Sequence, residues 1–345
     1  MTANGERRAE ATARAAALAL LLGGVAALFC SCKPGQPPEA VRRAPVPVTL
    51  GIGLEPLAAS VIVAESEGFF GRRGIAATVR KFPSGKLAMD AMLAGETQLA
   101  TVSETPVVFE SFKRQDFRVL AIIGTSDNEA RVVARKDRGV RARPDLKGRR
   151  IATQEASSMH FFLHMFLLKH GLLEKDVAIT FAPPGALVGM LADGRADACC
   201  AREPIISRAV AALGENATVF EEPGLFVRYY LLVTTQRFLQ ENPGAVRAIL
   251  RALADAEASS KAHPERAAAA VARAIQIAKP VIERVWPSLD LRLRLNQSLL
   301  LAMEDEARWT LGGGLVKDTP MPNYLQFVHL DAMLSVKPSA VSIIR

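Results

Sequence analysis

From Val46 onward, apolar and polar positions fall into short runs whose period switches between two and about 3.6. "VPVTLGIG" reads as a strand, "ASVIVAESEGFFGRRG" as a helix closing at a glycine, and "IAATVRKF" as a second strand. "GKLAMDAMLAGE" places Leu87, Met89, Met92 and Leu93 at helical spacing, and "TQLATV" follows as a third strand. Strand, helix and strand in succession predict right-handed crossovers and a parallel sheet. After "RVLAIIG" and "ARVVARKD" a second series begins: "RRIATQ", a helix in "QEASSMHFFLHMFLLKHGL", then "VAITFAP", "ALVGMLADG" and "ADACCA". "FVRYYLLVTT" returns as a long strand, and the remainder is mostly helical. "ENPGAVRAILRALADAEAS" opens with Asn242 as a cap and Pro243 in the first helical position. Its apolar face carries Val246, Ile249, Leu250 and Leu253, and a further helix starts at Pro264.

Two similar α/β blocks followed by a helical tail predict a bilobal α/β protein with two parallel or mixed sheets. The return strand sends the tail back to the first block. The expected lobes are therefore 46–127 with 228–345, and 128–227, joined by two crossings. Small ligands prefer the cleft between such lobes.

Residues 1–45 read differently. Arg7, Arg8 and Arg14 precede the uncharged run "AAALALLLGGVAALFC", which is short for a membrane span of about 20 residues and suits a signal-peptide core. "LFCSC" resembles a bacterial lipoprotein cleavage box. Cys32, preceded by the small Ser31, is the better lipidation candidate than Cys30, preceded by Phe29. An ordinary signal peptide or an uncleaved anchor stays open. The expected division is a signal peptide over 1–31 and a Pro-rich tether over 32–45, with the mature chain in the periplasm or otherwise outside the cytoplasm.

Half of the residues are apolar, which suits a globular chain, and 43 Lys and Arg against 35 Asp and Glu are scattered rather than clustered. Without a basic stripe interleaved with aromatics, no nucleic-acid partner is expected. Beyond the leader and Cys32 only the adjacent Cys199 and Cys200 remain, expected as two apolar residues of a buried strand. His160 and His164 share a helix face. No carboxylate lies between them, however, so neither a metal site nor a cofactor is expected.

In open sheets ligands sit beyond the carboxyl ends of the strands. That rule selects Glu55 and Pro56, Ser84 and Gly85, Ser103, Glu104 and Thr105 in the first block. In the second it selects Gln154, Ser157, Ser158, His160, Arg202 and Glu203. The two serine clusters precede helices, so each either caps its helix or offers hydroxyls and N–H groups to a small anion. Glu55, Glu104, Glu155 and Glu203 either face solvent or, if two or more turn inward, call for a ligand with a cationic or N–H donor group.

The order "IVAESEGFFGRRGI", "FPSGKLAMDAMLAGETQLA", "DLKGRRIATQEASSMHFFLHMFLLKHGL", "MLADGRADACCAREP", "FLQENPGAVRAILRALADA" resembles the periplasmic solute-binding proteins of ABC importers, in their nitrate/sulfonate/taurine and thiamine-precursor branch. The resemblance implies a type II binding-protein fold closing on one small polar solute: sulfonate- or taurine-like, nitrate-like or aminopyrimidine-like. It also implies a monomer whose partner is a membrane permease. It places "SSMH" where sulfonate binders hold their anion, carrying Ser157, Ser158 and His160 over as contacts. Arg202 stands where many relatives have an aromatic residue, which leaves the ligand class open: its fork either binds a carboxylate or sulfonate or caps the surface. Desulfinating and pyrimidine-forming enzymes of the same fold, and a ligand-sensing lobe, are the alternatives.

Overall fold

A computed structural model of the protein describes residues 44–317 and 319–344. The signal-peptide and Cys32 expectations lie outside the described residues. No helix among the described residues is long and apolar enough to cross a membrane.

The strands are β1 Val46–Gly53, β2 Ile75–Phe82, β3 Leu99–Ser103, β4 Phe117–Ser126, β5 Arg131–Arg135, β6 Arg150–Thr153, β7 Ala178–Phe181, β8 Ala198–Ala201, β9 Ala217–Glu221 and β10 Arg228–Thr235. Helices of eight residues or more are α1 Ala59–Ser66, α2 Gly85–Leu93, α3 Glu104–Ser111, α4 Ser158–Lys169, α5 Pro184–Ala192, α6 Ile205–Leu213, α7 Pro243–Ala262, α8 Pro264–Ile275 and α9 Gln297–Gly312. The strands form two sheets, ordered β2-β1-β3-β10-β4 and β7-β6-β8-β5-β9, both within the compact unit Pro45–Arg345.

The sheets are mixed. β1 runs parallel to β2, from Val46 opposite Ile75 to Gly53 opposite Phe82, and parallel to β3. β10 arrives from the second sheet in the opposite sense and wedges antiparallel between β3 and β4. Its run "RYYLLVT" is buried, as a strand with neighbours on both edges and helices on both faces must be. In the second sheet β6 is parallel to β7 and β8, while β5 pairs antiparallel with β8 and β9. The chain passes between sheets over residues 127–130 and returns over 222–227.

The first sheet shares one core with α7 (Val246, Ile249, Leu250, Leu253) and α9 (Leu299, Met303). The second sheet has a core on each face, and alternation along β8 sends Cys200 into one and Cys199 into the other. Both thiols are free and fully buried.

Two local expectations need correction. "ASVIVAESEGFFGRRG" is not one helix: Gly68 at φ 69° breaks it into α1 and a four-residue turn, Phe69–Arg72. Asn242 does precede α7, with Pro243 in the first turn. It makes no side-chain cap bond, because the same residue also ends the short helix Gln236–Glu241.

Candidate functional site

Where the carboxyl ends of β1, β2 and β3 meet those of β6 and β8, the two halves touch through buried polar groups. Ser84 takes the extended backbone of an N-cap, and its Oγ accepts from Leu87 N at 3.3 Å. The same oxygen accepts from Gln154 Nε2 of the other half at 3.0 Å, which leaves the hydroxyl proton for a further acceptor. Ser103, ahead of α3, donates its hydroxyl to Ser158 Oγ at 3.2 Å across the same seam. Gly85 is required by close approach. A Cβ there would lie 2.9 Å from Thr101 O, and one on neighbouring Gly53 would lie 2.5 Å from Gly85 N.

Ser157 holds the cap position of α4 but makes no cap bond. Its hydroxyl donates instead to Gln154 O at 2.6 Å, locking the turn that aims Gln154 across the seam. The Gln154 Oε1 atom is buried without a partner. A cavity of about 500 Å³ opens beside Gln154, bordered by Lys86 and Lys113 from the first half and Phe181 from the second.

Farther along the seam lies a group of four charges. Arg202, after β8, donates Nη2 to Glu55 Oε1 at 2.9 Å across the halves. Arg228, the first residue of β10, bonds both Glu55 and Glu129. All four side chains are buried. Burial raises the Glu55 pKa, but the two guanidiniums outweigh it and hold the carboxyl below its ordinary value. Burial dominates at Glu129 and pushes its carboxyl up. Pro56 is buried in the turn just after Glu55.

Glu203 is buried too, but it is occupied as a cap: it accepts from Ser207 N at 3.1 Å and from Ser207 Oγ at 2.9 Å. Of the four glutamates raised by the sequence, Glu55, Glu104 and Glu203 turn inward and Glu155 faces solvent. The Arg202 fork, free to grip an anion on paper, is engaged by Glu55.

The opposite end of the seam lacks donors. Glu104, in the first turn of α3, accepts from Tyr229 N at 3.1 Å through Oε1, while its Oε2 has no partner. Thr105 Oγ1 and both carboxyl oxygens of Glu306 are likewise buried and unpartnered. Burial, only partly offset by Arg228, pushes Glu104 up to about 8. Burial and the facing Glu104 push Glu306 well above the usual carboxylate range.

His160 is 1 % exposed, with its ring 4.7 Å from Phe181 and 5.0 Å from Trp309, both edge-on. Its Nε2 lies 3.8 Å from Glu174, which also accepts the His164 Nδ1 contact at 3.0 Å. Burial raises the Glu174 carboxyl, but the two imidazoles outweigh it and bring it down to about 2. The histidine pair is thus tied to a surface-side carboxylate.

Sequence reasoning missed Arg228, Glu129, Glu306 and Trp309. Arg228 did leave a signal: a lone arginine inside "FVRYYLLVTT" must find a buried partner.

Two α/β halves of mixed sheets, meeting at strand ends and joined by two crossings, define the periplasmic binding protein fold. In a comparison with solved structures, the alkanesulfonate-binding protein SsuA from Xanthomonas axonopodis pv. citri bound to MOPS superposes with a TM-score of 0.71 at 20% identity, over 83% of this chain and 99% of that one. The desulfurization enzyme DSZB superposes with a TM-score of 0.61 at 16% identity, over 85% and 99%. Among characterised sequences, the taurine-binding periplasmic protein of Escherichia coli (strain K12) is 25% identical over 206 residues, 59% of this chain and 63% of its own. The NMT1/THI5 like family model matches residues 55–267, and the chain belongs to that family.

Proposed function

We propose that this protein is the solute-binding component of an ABC importer. In this role it acts outside the cytoplasm, closes on one small polar solute at the seam and delivers it to a membrane permease. The solute is sulfonate- or taurine-like, nitrate-like or aminopyrimidine-like. The lobes 46–127 with 228–345, and 128–227, move as two bodies about the crossings. Cys32 carries the lipid that tethers an otherwise monomeric chain, and no cofactor takes part.

One observation carries this reading: the two halves meet through the buried pairs Gln154–Ser84 and Ser103–Ser158, with unused hydrogen-bonding capacity at Ser84 and Gln154. Buried polar groups left open in this way mark a place where a polar guest completes the bonding. The family membership and the taurine-binding relative support the choice of guest.

Thermal unfolding with ethanesulfonate, taurine, nitrate and aminopyrimidines tests it. A true ligand at 100 times its dissociation constant stabilises by about 2.7 kcal/mol. Ser84→Ala should weaken that ligand, and small-angle scattering should record closure on binding. No shift with any member of the panel sinks the proposal. Incorporation of labelled palmitate, lost in Cys32→Ser, tests the anchor.

Catalysis is left out for a physical reason. The sequence offers Cys199 and Cys200 as nucleophiles, yet both thiols face sealed cores. Burial pushes Cys199 up to about 12 and Cys200 well above its ordinary value, leaving no thiolate at neutral pH. The solute should be recovered chemically unchanged by mass spectrometry.

A further inference from the structure

Beside the donor-poor end of the seam, a groove of about 490 Å³ opens between α4, the returning segment Leu225–Tyr229 and α9. We propose that this groove is a second ligand site, distinct from the solute site at the seam, and that it takes an organic cation: an ammonium head seated on Glu306, with an apolar body between Phe161, Phe226 and Trp309.

The walls are apolar and aromatic. Phe161 packs edge-on against Phe226 at 5.3 Å and tilted against Trp309 at 5.1 Å. The lip carries Val227 and Leu301, which are 45% and 55% exposed, an unusual state for large apolar side chains flanking a pocket unless something covers them. The volume suits a small organic molecule, and aromatic faces favour cations over anions.

The floor supplies the charge. Glu306 is 1% exposed and borders the groove, and its oxygens have only Glu104 and Thr105 beside them, with no well-formed hydrogen bond to either. Behind it, Glu104 Oε2 and Thr105 Oγ1 are buried and equally unpartnered. Native proteins rarely leave a carboxyl pair unbonded, and acceptors in excess call for N–H donors.

The other acid at the groove agrees in sign, and the nearby cations are already engaged. Asp305 lies on the same helix and borders the groove. On β10, Tyr229 donates its backbone N–H to Glu104, and Arg228 is already bound to Glu55 and Glu129. On α4, His164 is committed to Glu174. An anion would meet carboxyl groups that it could not ionise favourably and Asp305 at the border, whereas a cation would meet acceptors it can turn into carboxylates. Because both carboxyls are held above their ordinary range by burial, the empty pair keeps protons near neutrality. Seating a cation favours the ionised form, so binding should release a proton.

Three probes of one shape test this by calorimetry: phenethylamine, 2-phenylethanol and 3-phenylpropionate. The amine should bind at least tenfold tighter than the alcohol, with proton release between pH 6.5 and 7.5, and the acid should not bind. Glu306→Gln should weaken the amine at least tenfold while leaving ethanesulfonate binding at the seam unchanged; Ser84→Ala should do the reverse. If Glu306→Gln fails to fold, Trp309→Leu carries the same expectation. Equal affinity for the three probes, no binding of the amine, or an unchanged affinity in the folded variants overturns the site. Absence of sulfonate binding in the parent protein, with amine binding intact, would overturn the seam reading alone.

Discussion

Each end of the seam buries two carboxyl groups, yet the pairs have opposite fates. At one end Glu55 and Glu129 meet Arg202 and Arg228, so two carboxylates face two guanidiniums and the group is neutral as built. At the other end Glu104 and Glu306 face each other with no cation of their own, and protons do the neutralising. The first arrangement balances its charges within itself and serves as a clamp between the halves. The second has no such balance, and carboxyls left without a cation at this depth mark a place for one.

The sharpest way to break the contrast is at the clamp. Arg228→Met would strip Glu129 of its cation and leave Glu55 with Arg202 alone. Removing one partner of a buried ion pair typically costs 3–5 kcal/mol, because the remaining charge stays desolvated. Urea unfolding at pH 7 should show a loss of that size. The loss should shrink as pH falls, because Glu129, already pushed up by burial, takes a proton and ceases to be an uncompensated charge. A loss below about 1 kcal/mol at pH 7 would mean the clamp carries little.

The carboxyl end should respond with the opposite sign. Glu104 has a folded pKa of about 8 against an ordinary 4.5, so between those values the native state holds a proton that the unfolded chain has released. Stability from this group is fully present below about pH 4.5 and falls as pH rises toward 8, by up to about 1.4 kcal/mol per unit. Glu104→Gln removes the dependence. The variant should therefore gain on the parent by about 2 kcal/mol between pH 6 and pH 7.5, read from paired denaturation curves. Parallel curves at both pH values would show that Glu104 is ionised in the native protein.

How these two ends were visible beforehand differs in an instructive way. Ser84, Ser103, Gln154 and Ser158 were picked out because a local pattern, strand then small polar turn then helix, marks the ligand edge of an open sheet, and the structure brings all four together. Glu104 and Glu55 came from the same rule, as did Arg202, but Arg228, Glu129 and Glu306 did not, and no pairing did. Glu306 and Trp309 lie some two hundred residues beyond Glu104, on a helix whose pattern reports only which face is apolar. Arg202 read as an anion fork because its residue type allows that. Only the three-dimensional fold shows the fork filled by Glu55, 147 residues away. Periodicity encodes elements and their ends; it carries no record of which distant charge neutralises which.

The smallest effect concerns a neutral contact between the two halves. Gln154 Nε2 to Ser84 Oγ is a neutral hydrogen bond spanning the halves at 3.0 Å. Such a bond contributes about 0.5–1.5 kcal/mol net. Ser84→Ala also removes the cap on Leu87 N, worth about 1 kcal/mol, so the single variant overstates the bridge. A double-mutant cycle with Gln154→Ala cancels the cap, because that loss appears on both arms. The coupling should come to roughly 1 kcal/mol in the unliganded protein. It should change when the solute is bound, since Ser84 and Gln154 each keep one bonding position free for it. A coupling of zero with and without ligand would place the two residues on surfaces that do not meet in solution, and the solute site would have to be sought elsewhere along the seam.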